Sequence, residues 1–166
     1  MTGLPPFQRL LDAHRVEVWR FLVASVGPND AEDCFQETFL SALRAYPRLR
    51  PDSNVRAWIL TIAHRKALDA HRARRRRPVA VPEVHAEAQD EPAGAMVDGA
   101  PWSALADGEL WSAVAALPPR QRAAVLLRCA GDLSHRQVAQ ALGCSEEAAR
   151  RSAHEGLKRL REVYAA

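Results

Sequence analysis

The side chains with chemistry to offer crowd into one stretch, Asp30 to Arg77. Asp30, Glu32, Asp33 and Glu37 give a helical pattern an acidic edge within its first turns, and Arg74 to Arg77 close the stretch as four consecutive arginines. A carboxylate edge suits a basic partner. An arginine run suits an anion, and a phosphate backbone is the commonest repeating one. His64, Asp69 and His71 offer a second chemistry. Two imidazoles seven residues apart share a helix face, and with a carboxylate they suggest a metal-dependent nuclease. One aspartate among arginines on a single helix makes a poor cage, and opposing carboxylates are missing. No catalytic or metal-ligating set is assigned, and neither an enzyme nor a cofactor is expected.

The elements that hold these groups read as helices throughout. Phe7, Leu10, Leu11, His14, Val18, Phe21 and Leu22 recur at steps of three and four, predicting an amphipathic helix over about 7–26 that Gly27-Pro28 ends. Asn29 or Asp30 is expected to cap the next helix. Its apolar side is Phe35, Phe39, Leu40 and Leu43, and Gln36 and Glu37 extend the polar surface. Pro47 to Asn54 is a loop, with Asp52, Ser53 or Asn54 placed to cap the third helix. That helix runs from about Asn54 into the arginine run. Val55, Trp58, Ile59, Ile62, Ala63, Ala67 and Ala70 form its buried side, and Thr61, Arg65, Asp69, Arg72 and Arg76 its open one. Asp69 is spaced to pair with Arg65 or Arg72.

Charge is unevenly spread over the 166 residues. Residues 1–77 hold 14 basic and 8 acidic side chains, residues 78–108 hold 6 acids and no Lys or Arg, and residues 109–166 hold 9 basic and 6 acidic. Two basic blocks thus flank an acidic connector rich in Pro, Ala and Gly. The connector reads as a flexible linker with a short helix near Trp102–Leu105, and divides a domain at 1–77 from one at 109–166. Cys34, Cys129 and Cys144 have no metal or disulfide spacing and are expected as buried or half-buried free thiols. No apolar run is long enough to span a bilayer and no signal-peptide pattern is present, so a cytoplasmic protein without membrane contact is expected.

The second block carries a motif. Short helices are expected from Glu109 to Leu117 and from Pro119 to about Ala130, with Val125, Leu126 and Leu127 inward. Ser134 and Ser145 then cap two more. Val138, Ala139, Leu142, Gly143 and Ala149 stand at the spacings that let two short helices cross closely, which is a helix-turn-helix pattern. Such a unit projects its second helix into a DNA major groove. Glu146, Glu147, Arg150, Arg151, His154 and Lys158 are the outward candidates, where arginine can grip guanine or neutralise phosphate.

Taken together, DAEDCFQETFLSALRAYPRLRPDSNVRAWILTIAHRKALDAHR resembles region two of the extracytoplasmic-function sigma factors of bacterial RNA polymerase. LPPRQRAAVLLRCAGDLSHRQVAQALGCSEEAARRSAHEGLKRLR resembles region four. The resemblance covers most of the chain outside the connector. It implies an all-α fold of two small domains, and a subunit that directs promoter-specific initiation and assists promoter melting. Asp30, Asp33, Gln36, Glu37 and Phe39 match the string that docks on the clamp coiled coil of the largest polymerase subunit. Arg48, Arg50, Ser53, Asn54, Arg56, Arg65, Lys66 and Arg72 lie in the segment that opens the minus-ten element and captures a flipped base. Arg120, Arg122, Ser145, Glu146, Arg150, Arg151, His154 and Lys158 match the region that binds the minus-thirty-five element, with Arg120 and Arg122 near phosphates. Implied partners are core polymerase (clamp coiled coil and flap) and promoter DNA, and the resemblance admits an anti-sigma factor. It departs at Ala148, Ser152 and Glu155, so no minus-thirty-five sequence is implied. His64 stands where asparagine is common. The competing expectation is a stand-alone helix-turn-helix regulator, which explains 109–166 but leaves the acidic helix without a purpose.

Overall fold

Gly27 both ends the first helix and starts the second. Its φ of 84° is open to glycine and costly for other residues. Its N–H closes on Val23 O and its carbonyl accepts Ala31 N–H. The computed structural model describes residues 4–76 and 108–165. α1 is Phe7–Val26, α2 is Pro28–Ala45 and α3 is Val55–Arg76. The cap of α2 is therefore Gly27, not Asn29 or Asp30. Pro28 has no N–H to satisfy at the first helical position, and Asp30 falls inside the first turn.

α1, α2 and α3 pack against one another. Val18, Phe21, Leu22, Ile59 and Ala63 are fully buried, the large ones each contributing about 1.5–3 kcal/mol. The buried stripe of α2 corrects the expected one. It runs through Ala31, Cys34, Thr38 and Ala42, at steps of three, four and four. Small side chains there let the helices approach closely, so the large ones flank the contact. Phe39 is buried and Phe35 is packed at its edge, but Leu40 and Leu43 are 47% and 50% exposed. Thr38 satisfies its buried hydroxyl by donating to Cys34 O at 2.6 Å. A short 3₁₀ turn, Tyr46–Arg48, opens the loop to α3. Asn54 Oδ1 accepts Ala57 N–H at 2.9 Å, which makes Asn54 the cap.

The second group holds α4 (Gly108–Ala116), α5 (Pro119–Val125), α6 (His135–Leu142) and α7 (Glu146–Ala165). α5 does not run on to Ala130 as expected. From Leu126 to Ala130 the chain widens into a π-type turn, which closes with Gly131 N–H on Leu126 O at 3.0 Å. The widened turn still buries Leu126 and Leu127. α7 packs on α4, α5 and α6. Among the described residues there is no strand, and no helix is long and apolar enough to cross a membrane. The expected connector, save Gly108 in α4, lies outside the described residues, as do Arg77 and the short helix near Trp102–Leu105.

The two groups touch. α1 packs on the Leu126–Ala130 turn and on α4, and α3 meets α6. One apolar cluster runs through both. This contact explains a buried residue that the sequence pattern of α3 does not mark. Leu60 meets Gly131, where an added Cβ would stand 2.6 Å from Leu60 Cδ1 and 2.7 Å from Leu127 O. Of the three thiols, Cys34 is buried and Cys144 half-buried, but Cys129 is exposed, because the wide turn carries it outward.

Candidate nucleic-acid interface

The acidic edge of α2 forms a real surface. Asp33, Gln36 and Glu37 are exposed and Asp30 is half-buried at the rim. Phe39 lies beneath them, its ring 4.8 Å from that of Phe35, so it supports the edge and does not line it. Leu40 and Leu43 lie on the same helix as exposed apolar side chains that sequence periodicity assigned to the core. The edge is partly neutralised from α3: Arg74 bonds Asp30, and Lys66 Nζ lies 3.3 Å from Glu37. The two charge sets of the Asp30–Arg77 stretch thus face each other.

The loop before α3 is held by its own side chains. Arg50 grips Asp52 through two bonds of 3.2 and 3.0 Å, and Ser53 N–H closes on Arg50 O at 3.0 Å. Asn54 is committed to capping α3, Ser53 is half-buried, and Arg48 is exposed. Trp58 packs within the bundle, its ring 6.4 Å from Tyr46. Along α3, Arg65 and Arg72 are exposed, and Arg72 takes up Asp69 at 3.3 Å. An exposed pair of this kind is worth about 0–1 kcal/mol, so a phosphate can displace it.

Arg56 and His64 depart from the exposed pattern. Arg56 turns toward the second group. It bonds Glu17 and donates to Ala130 O at 3.1 Å, with Asp132 at 4.0 Å. His64 is buried, edge-on to Phe21. Burial, aided by the Arg65 and His71 charges, lowers its pKa from 6.5 to about 4. His64, Asp69 and His71 do not form a metal site. Among the described residues no group of three His, Cys, Asp or Glu stands close enough to hold an ion.

The second group has helix-turn-helix geometry. Ser134 Oγ accepts Gln137 N–H at 3.2 Å while Gln137 returns a bond to Ser134 N–H at 2.9 Å, a reciprocal cap on α6. Gly143 ends α6 in the left-handed region and Ser145 caps α7 through Ala148 N–H at 3.2 Å. Ala139 and Ala149 are buried at the crossing. Glu146, Glu147, Arg150, Arg151, His154 and Lys158 are all exposed, as expected of an outward face. Glu146 pairs with Arg150 at 3.4 Å and Glu147 with Arg151 at 3.1 Å. Glu155 is held off that face by Gln121, which donates to it at 3.0 Å.

Arg120 is exposed, but Arg122 is turned inward. It donates to Ala115 O, to Leu117 O at 3.0 Å and to Ser25 O at 3.1 Å. Its Nε is buried without a hydrogen-bond partner among the described residues, and burial pushes the guanidinium pKa down. In this arrangement Arg122 ties the groups together. The signal available in sequence was only its place after Pro118-Pro119, near the end of α4.

Comparison with known proteins gives two family matches in chain order: Sigma-70 region 2 over residues 10–77 and Sigma-70, region 4 over residues 107–160. RNA polymerase sigma factor CarQ of Myxococcus xanthus is 34% identical, over 95% of this chain and 88% of that protein. The extracytoplasmic-function sigma factor SigC of Mycobacterium tuberculosis is 33% identical, over 82% and 71%. Among solved structures, the fold is similar to that of the sigma factor RpoE bound to the anti-sigma factor NepR from Bartonella quintana. That match has a TM-score of 0.74 at 22% identity and covers 98% of this chain and 99% of that one. CnrH in complex with the cytosolic domain of CnrY is similar at a TM-score of 0.67 and 21% identity, covering 96% and 87%.

Proposed function

The chain belongs to the extracytoplasmic-function family of RNA polymerase sigma factors, and we propose that it binds core polymerase, directs promoter-specific initiation and assists melting of the minus-ten element. The observation that carries this reading is the pairing, in one chain, of an exposed acidic edge on α2 with a capped helix-turn-helix whose outer face is open. A stand-alone DNA reader has no use for the first.

In this reading Asp30, Asp33, Gln36 and Glu37 meet the basic groups of the polymerase clamp coiled coil, with Phe39 holding α2 in place beneath them. The loop Arg48–Asn54 and the α3 side chains Arg56, Arg65, Lys66 and Arg72 engage the minus-ten strand. Extracting a base from the stack costs a few kcal/mol, which stacking and hydrogen bonds in a pocket must offset. α7 enters the major groove at the minus-thirty-five element through Ser145, Glu146, Arg150, Arg151, His154 and Lys158, with Arg120 near phosphate and the polymerase flap behind the domain. The protein supplies base readout and strand separation and no covalent chemistry. It works where the polymerase is, in the cytoplasm. The sigma factor RpoE, whose fold this chain shares, is solved bound to an anti-sigma factor, which supports an anti-sigma factor as the class of regulator for this chain too.

The test is run-off transcription with purified core polymerase and a pool of promoter fragments, with and without this protein. Specific starts that depend on it are the expected result. DNA binding by gel shift without any starts would favour the stand-alone regulator, as would full activity after Asp33 and Glu37 are substituted.

A further inference from the structure

Gln121 occupies a place where a glutamine is unfavourable. Its Oε1 is buried and meets no hydrogen-bond donor among the described residues. A desolvated acceptor without a donor destabilises a fold, and an apolar side chain of the same length would avoid that. The same contact holds a second unfavourable residue. Gly156 lies within α7, where glycine is less stable than alanine, but a Cβ there would stand 2.6 Å from Val125 Cγ2 and 3.3 Å from Gln121 O. α5 and α7 therefore cross closely at Gly156, and this brings the nitrogen end of the Gln121 amide out beside the preceding residue. Gln121 Nε2 donates to Glu155 Oε2 at 3.0 Å. An apolar residue could not make that bond.

The bond decides where the Glu155 carboxylate goes. Glu155 is exposed and stands four residues after Arg151, three before Lys158 and four before Arg159. All are spacings at which a carboxylate and a cation pair on a helix surface. Arg151 and Lys158 belong to the outward face of α7, and Arg159 is exposed as well. Arg151 instead takes Glu147 at 3.1 Å, and Glu155 turns to α5. Packing already fixes the Gln121 amide, so its charge-assisted bond to Glu155 orders one long side chain, whereas a surface ion pair must order two. A freed Glu155 would set a second carboxylate beside Arg151 and bring negative charge to the side that phosphates approach.

We propose that Gln121 is a positioning residue for DNA binding by α7: its amide draws the Glu155 carboxylate toward α5 and so keeps Arg151 and Lys158 available to the minus-thirty-five element. This rests on the proposed entry of α7 into the major groove. Glu155 is thereby tolerated on a recognition helix because a residue of another helix restrains it.

The full chain is assembled with core polymerase on a promoter recovered by run-off transcription, and its dissociation constant is followed over a salt series. Q121M keeps the side-chain length and removes both the donor and the unpaired oxygen. Its urea midpoint should equal or exceed that of wild type. Its holoenzyme should bind the promoter about threefold or more weakly, with a shallower salt dependence as the freed carboxylate occupies a cation. Q121M/E155A should return to within about twofold of E155A, because the displaced carboxylate is gone.

A loss below about threefold overturns the proposal, as would follow if the freed carboxylate turned to Arg159. So does a loss that persists in Q121M/E155A, which would make Gln121 a packing residue of the α5–α7 crossing. Failure of the underlying reading looks different. R151A/K158A would then bind the promoter as wild type does, whereas under that reading it binds more weakly whatever stands at position 121.

Discussion

Lys66 Nζ lies 3.3 Å from Glu37 Oε2, so a side chain expected to face DNA and one expected to face polymerase neutralise each other across α2 and α3. Both are partly or well exposed, and such a pair contributes about 0–1 kcal/mol. Either partner can leave for a macromolecular ligand at little cost. E37A is expected to weaken core binding, and K66A to weaken minus-ten fork binding while leaving core affinity within about twofold. A double-mutant cycle on thermal stability should give a coupling below about 1 kcal/mol. A larger coupling would make the pair a structural strut instead of two separate ligand groups.

Phe39 and Leu43 are four residues apart on α2 and differ in what they support. Phe39 is 7% exposed and its ring meets that of Phe35 at a tilt of 56°, whereas half of Leu43 is open. F39A should cost about 3–5 kcal/mol of folding stability through the cavity it leaves. L43S should cost within about 0.5 kcal/mol. Chemical denaturation of the two variants checks this. A core-binding defect in F39A that disappears at temperatures where the variant is fully folded would place its role in support of the acidic edge. A persistent defect would mean direct contact.

The contrast also shows what could be read from sequence. α1, the loop, the length of α3 and the helix-turn-helix were legible, because apolar period, Pro47, Gly143 and the capping serines are local signals. The open face of α7 followed from the crossing at Ala139 and Ala149. What was not legible came from packing at a distance. Leu40 and Leu43 look like core until the small stripe Ala31–Cys34–Thr38–Ala42 is seen to take the contact. Arg122 looks like a phosphate ligand until the second group comes up against Ser25, and the bonds of Arg56 to Glu17 and to Ala130 O join residues far apart in the chain. No spacing rule within one helix could show a seam formed by residues 74 and 97 positions apart.

His64 makes stability depend on pH. Its pKa in the folded chain is lowered to about 4 from 6.5, chiefly by burial and then by Arg65 and His71. A depressed histidine is neutral when folded, and the unfolded chain binds the extra proton first. The contribution is fully present above about pH 6.5 and is lost as pH falls toward 4, by up to about 3 kcal/mol. H64N removes the titration and should flatten the stability curve in that window, after correction for the carboxylates that titrate at its acid end. The measurement is urea midpoint against pH for both proteins. Parallel curves would show that His64 is solvated in the folded chain.

Arg150 and Glu146 set the last prediction. They pair at 3.4 Å on the exposed face near the start of α7, the end of a recognition helix that meets base edges. The pair is an i, i+4 ladder worth about 0.3–0.5 kcal/mol, so DNA can recruit Arg150 cheaply. Once Arg150 leaves for guanine, Glu146 faces either a cytosine amino group, which it can accept from, or a phosphate, which repels it. R150A should therefore relax selection at one base pair of the minus-thirty-five element, at a cost of about 1–3 kcal/mol against the preferred sequence. E146A separates the two positions of the glutamate. Opposite cytosine, its loss relaxes a neighbouring base pair. Facing phosphate, its loss tightens binding to every sequence alike. Binding selection from a randomised duplex, run for wild type and both variants at one fixed salt concentration, distinguishes these outcomes. A uniform loss for R150A across all sequences would assign Arg150 to the backbone and leave base readout to Arg151 and His154.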